Sequence, residues 1–89
     1  MSLAAAVADE VQRRMTAAGL SAREVARRAE LPPTLMHRAM RRERDLSIDE
    51  LAAVATVLRL TPEHLVRVAR TRIPQTGDPT RGASDSTQG

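Results

Sequence analysis

Apolar residues return along the chain at helical spacing, in runs broken by polar and turn-forming residues. Leu3, Val7, Val11 and Met15 recur every four positions, Ala8 and Ala18 widen their stripe, and Asp9, Gln12, Arg13 and Thr16 fall on the other side. Residues three and four apart share one face of a 3.6-residue turn, so the spacing predicts an amphipathic helix from about Leu3 to Ala18. Its acids precede its arginines, which suits the helix dipole. Gly19 fits the left-handed position that closes a helix.

A second pattern marks where the later helices begin. Leu20-Ser21-Ala22-Arg23-Glu24-Val25 and Leu46-Ser47-Ile48-Asp49-Glu50-Leu51 each place Ser at a cap position and Glu three residues on, between apolar flanks. That is a capping box inside a hydrophobic staple. Leu60-Thr61-Pro62-Glu63-His64-Leu65 is a partial third copy, with a Thr cap and Pro at the first helical position, but His64 where Glu would stand. These starts predict helices over Ala22 to Ala29, Ile48 to Leu58 and Pro62 to about Thr71. Between the first two lie a turn, Glu30-Leu31-Pro32, with Leu31 as a buried plug, and a short helix from Pro33 to about Arg42. Val25, Ala26 and Ala29, then Leu35, Met36, Ala39 and Met40, form inward faces. So do Leu51, Val54, Ala55 and Leu58, and finally Leu65, Val68 and Ala69. The expectation is an all-α domain of five helices over 1–73. Past Ile73 the segment PQTGDPTRGASDSTQG has no apolar period, so 74–89 is expected to be a flexible, disordered tail.

Composition narrows what such a domain can be. The 89 residues contain no Trp, Tyr or Phe, so the core must be aliphatic, and a core of this size leaves a thin margin of stability. Dimerisation would supplement it. Val66, Ala69 and Ile73 make a second stripe on the last helix, and this predicts a homodimer interface there. The absence of Cys rules out disulfides and thiolate metal sites, and fits a reducing, cytoplasmic setting. No apolar run approaches the roughly 20 residues of a membrane span, so no membrane partner is expected. Asp9 and Glu10, with no basic residues before them, do not suit a signal peptide. An enzyme is not expected. The two histidines, His37 and His64, lie on different helices without metal-ligand spacing. Asp49 and Glu50 belong to a cap, and no Gly-rich phosphate loop is present. No catalytic residue, metal or cofactor is therefore assigned.

All 14 basic residues are Arg, and the net charge is only +3. A Lys-free, Ala-rich sequence is what a GC-rich genome writes by default, so local clustering is the better guide to partners. Arginines gather at the end of the third helix, as Arg38, Arg41, Arg42 and Arg44.

With the helices placed, Leu20 to Leu65 resembles the lambda-repressor-like (Cro/XRE-type) helix-turn-helix family, which includes phage Cro proteins, restriction-modification control proteins and many antitoxins. The resemblance rests on LSAREVARRAEL, on the apolar pattern Val25, Ala26, Ala29, Leu31, Met36 and Ala39, and on LSIDELAAVATVLRLTPEHL. It covers about half of the chain. Three positions depart from the family pattern: Glu30 replaces the usual turn Gly, Ala22 a phosphate-gripping Gln, and Pro32-Pro33 the polar opening of the recognition helix. The resemblance implies a sequence-specific DNA-binding regulator, a small repressor of phage or mobile-element type. Its third helix would lie in the major groove of double-stranded DNA, and a homodimer would span a near-palindromic operator. It implies base contacts at Thr34 and Arg38, with His37 and Arg41 at the groove edge, and phosphate contacts at Arg23, Arg27, Arg42 and Arg44. The alternative is a protein-binding module on the same fold, such as an antitoxin or anti-repressor.

Overall fold

The computed structural model describes residues 2–73, and the expected tail at 74–89 lies outside the described residues. Five helices follow in order: α1 (Leu3–Ala18), α2 (Ala22–Ala29), α3 (Pro33–Met40), α4 (Ile48–Val57) and α5 (Pro62–Arg70). No strand occurs among the described residues. The third helix stops two residues short of the expected Arg42, the fourth and fifth one residue short.

Side-chain caps start four of the helices. Ser2 Oγ accepts from the Ala5 amide (3.1 Å), Ser21 Oγ from Glu24 (3.1 Å), Ser47 Oγ from Glu50 (3.1 Å) and Thr61 Oγ1 from His64 (3.0 Å). At Ser47 the box is complete, because the Ser47 amide also donates to Glu50 Oε1 at 2.8 Å. At Ser21 only half of it forms. Arg27 and Arg28 draw the Glu24 carboxylate away, at 2.6 and 3.0 Å, into the helix's own turns. Glu50 has no arginine three or four residues ahead of it, only Ala53 and Val54, so its carboxylate stays on the cap. The remaining helix, α3, differs: Pro32 offers no side-chain hydrogen bond, and Pro33 follows at the first helical position.

Four helices end alike. The residue after each helix, or one beyond, turns left-handed, and the amide of the next residue reaches five residues back. Leu20 donates to Met15, Leu31 to Ala26, Glu43 to Arg38 and Leu60 to Ala55, each at 2.8–2.9 Å. The left-handed residues are Gly19 (φ 71°), Glu30 (φ 59°), Arg42 (φ 65°) and Arg59 (φ 60°). This is the Schellman geometry, which satisfies terminal carbonyls.

The helices close on an aliphatic core. Val11, Met15, Val25, Ala26, Met36, Val54, Ala55, Leu65 and Ala69 are all at most 1 % exposed. α1 packs along α5 and against α3, α2 packs on α3 and α4, and α4 packs on α5. Ala26, fully buried, keeps α2 close to its neighbours. Two expectations fail in detail. Ala18 is exposed rather than part of the α1 stripe, and Leu31 is half-buried rather than a full plug. Ala69, expected both inward and in the second stripe, is fully enclosed by the chain's own core, because α1 packs along α5.

One polar cluster also enters the interior. Glu10 is 3 % exposed. Its carboxylate takes a hydrogen bond from Arg14 Nε at 2.8 Å, one helical turn on, and another from Arg72 Nε at 3.0 Å, just beyond α5. Arg14 Nη2 also lies 3.4 Å from Nε2 of His64, which is half-buried.

Candidate functional site

α3 is eight residues long, too short to be stable alone. It is held through Met36 and Ala39, at most 1 % exposed, against α2 and α1. The opposite side is open. Thr34, His37, Arg38 and, just past the helix end, Arg41 are all exposed. Their offsets of three, four and seven place them on one face. The structure thus brings together the four side chains expected to read bases.

Partners separate these side chains from the other arginines. Among the described residues, the side chains of Thr34, His37 and Arg38 have no hydrogen-bond or ion-pair partner. Arg41 has only a loose pair with Glu43, at 3.6 Å, with both groups largely exposed. The front of α3 is poor in donors, since Pro32 and Pro33 carry no amide N–H. Any hydrogen bonding to a ligand must therefore come from Thr34 and the residues after it.

The residues expected at phosphates divide differently. Arg23, at the start of α2, is exposed and has no partner among the described residues. Arg27 is paired with Glu24, but its side chain is 69 % exposed, so the pair is weak and exchangeable. The Arg27 hydrogen bond, its charge and the similar pull of Arg28 hold the Glu24 carboxyl below the usual range. Arg42 turns back on the fold, pairing with Asp9 of α1 and donating to the Met40 carbonyl. Arg44 pairs with Glu50 at 3.2 Å. The Ser47 amide is the main cause that lowers the Glu50 carboxyl, with Arg44 adding to it against burial. Arg42 and Arg44, both expected at phosphates, are thus paired within the molecule, with side chains still 36 % exposed. Their pairing partners, Asp9 and Glu50, are 33 and 6 positions away in sequence, and local helical spacing carries no trace of the first.

The expected dimer stripe is also redistributed. Ala69 is buried, as described, and Ile73 and Val66 are half-buried against the core. The apolar residue that stands out on the surface is Ile48, 81 % exposed. Sequence reasoning treated it only as part of a cap. Arg13, Arg59, Arg67 and Arg70 are further exposed arginines without a partner among the described residues. Periodicity could show that they face outward, but not that they remain unpaired.

Among the described residues no group of three or more His, Cys, Asp or Glu could hold a metal ion. No described helix is long and apolar enough to cross a membrane. Comparison with protein-family models, with curated proteins and with solved structures finds no match to the chain.

Proposed function

We propose that this chain is a sequence-specific DNA-binding transcriptional regulator of the lambda-repressor-like helix-turn-helix type, acting in the cytoplasm. α3 lies in the major groove, and the short α2 behind it fixes its angle. The single observation that carries this reading is the open face of α3. A helix buried on one side by Met36 and Ala39 presents Thr34, His37 and Arg38 outward, without intramolecular partners. Arg38 reads guanine through its paired N–H groups, and Thr34 reads a neighbouring base edge. His37 and Arg41 lie at the groove edge. Arg23 and the exchangeable Arg27 meet phosphates, which position the helix without specifying sequence. Arg42 and Arg44 act indirectly, by fixing the loop after α3 to α1 and α4. Occupancy itself regulates in this reading: a homodimer on a near-palindromic site occludes polymerase.

The test is a gel shift and footprint of the purified chain on genomic fragments, including the region upstream of its own gene. Arg38→Ala should weaken the specific complex by about 10- to 100-fold, in line with about 1–3 kcal/mol for a bidentate base contact. Binding to random DNA should change little. Equal loss on both DNAs would remove Arg38 as a base reader. No shift on any fragment would leave the protein-binding role, as antitoxin or anti-repressor, as the better account.

A further inference from the structure

The start of α1 reads Leu3-Ala4-Ala5-Ala6-Val7-Ala8. Its alanines offer only methyl groups where the helix faces the end of α3, the loop after it, α4 and α5. A chain without Phe, Tyr or Trp has no large ring to reach across that gap. The result is a partly open hollow of about 320 Å³. Packed interiors leave few voids larger than a water molecule, and ligand pockets begin at about 300 Å³. The hollow therefore has the size of a small-molecule site. Leu3, Val7, Leu46, Leu51 and Val66 give it an apolar wall. Ala39, on the inner face of α3, also borders it, so the hollow is separate from the side chains assigned to DNA.

The charges at the hollow say what fits it. Arg42, Arg44 and Asp45 all border it. The two arginines are already matched, Arg42 by Asp9 and Arg44 by Glu50. Asp45 is exposed and has no hydrogen-bond or ion-pair partner among the described residues. With the matched acids counted, the hollow carries one negative charge in excess. A carboxylate or phosphate would have to displace Asp9 or Glu50 to gain a cation, whereas a cation meets Asp45 free. The chain's own segment 74–89 offers no apolar occupant, since it contains no Val, Leu, Ile or Met.

We propose that this hollow is a binding site for a small aliphatic amine. The apolar body of the ligand lies against Leu3, Leu46, Leu51 and Val66, and its ammonium group meets the Asp45 carboxylate at the rim. The apolar wall supplies most of the affinity, because it leaves water on binding. Asp45 supplies the preference for a cation, as charge complementarity sets specificity more than strength. The site goes beyond the DNA-binding reading and does not depend on it.

Methyl NMR of the full chain tests it, by titration with hexylammonium, hexanol and hexanoate near neutral pH and at constant ionic strength. Hexylammonium should move the methyl signals of Leu3, Leu46, Leu51 and Val66, and the movement should saturate. Its Kd should lie about three- to fivefold below that of hexanol, the size of one exposed ion pair, and hexanoate should bind more weakly than either. Asp45→Asn, at an exposed loop position, should bring hexylammonium to the level of hexanol and leave hexanol unchanged. Ala5→Leu, which fills the hollow from α1, should weaken hexylammonium and hexanol alike, with the circular-dichroism melt showing that the fold is intact. Methyl signals that stay in place, hexanoate bound as tightly as hexylammonium, or a preference for the amine that survives Asp45→Asn would each overturn the proposal.

Discussion

Glu30, Arg42 and Arg59 hold φ near +60°, a conformation that costs a residue with a Cβ about 1–2 kcal/mol relative to the right-handed region. All three sit where a Schellman ending requires it, so the helix stop imposes the strain. Arg42 offsets its cost by pairing with Asp9. Arg59 is exposed and has no partner among the described residues, so its strain has no visible compensation. Arg59→Gly should therefore stabilise the fold by about 0.5–1 kcal/mol, after allowing for the greater freedom of Gly in the unfolded chain. For a domain of this size that is a rise in Tm of a few degrees, read by thermal or urea unfolding. Arg42→Gly should bring no such gain, since it leaves Asp9 alone. If Arg59→Gly is neutral or harmful, left-handed strain is not what limits stability at these helix ends.

At the scale of the helix, two glutamates in matching motifs have different work. Glu50 closes a capping box and also holds Arg44, at 2.8 and 3.2 Å. Glu24 serves only two arginines on its own exposed surface. Glu50→Ala should cost about 1 kcal/mol, from a charged hydrogen bond to a backbone amide, and Glu24→Ala should move the melt far less. Equal losses would mean that both boxes close in solution. The same contrast shows how far the sequence could be read. Caps and periodicity located all five helices to within two residues, because a helix start is a local event decided by neighbouring side chains. The open face of α3 was legible for the same reason, since Thr34, His37, Arg38 and Arg41 follow from spacing alone. What escaped was competition. Arg42 had a choice between solvent and Asp9, 33 positions away. Ala69 belonged to two stripes, and only the packing of α1 on α5 decided between them.

One contact ties the first described helix to the residues just past the last. Glu10, on α1, takes hydrogen bonds from Arg14 in its own helix and from Arg72, 62 positions on. α1 and α5 pack together, and this ionic clasp fixes their register at the exit from α5. Burial pushes the Glu10 carboxyl up, but the hydrogen bonds and charges of Arg14 and Arg72 outweigh it and hold it below the ordinary value of 4.5. A folded-state pKa lowered in this way stabilises the protein fully above the unfolded value and loses that contribution as pH falls through the folded value. Both arginine side chains remain 36 % exposed, so either cation can return to water when the carboxylate is lost. Glu10→Gln should then cost about 1–3 kcal/mol near neutral pH, less than a pair sealed from solvent would. Glu24 and Glu50 are lowered too, so the wild type has other acid-sensitive groups, and the informative quantity is the difference between wild type and variant. Urea unfolding from pH 7 downward should show that difference constant to about pH 5 and shrinking below 4.5. A gap that stays constant into strong acid would mean that the clasp acts through packing of the Glu10 side chain and owes nothing to its charge.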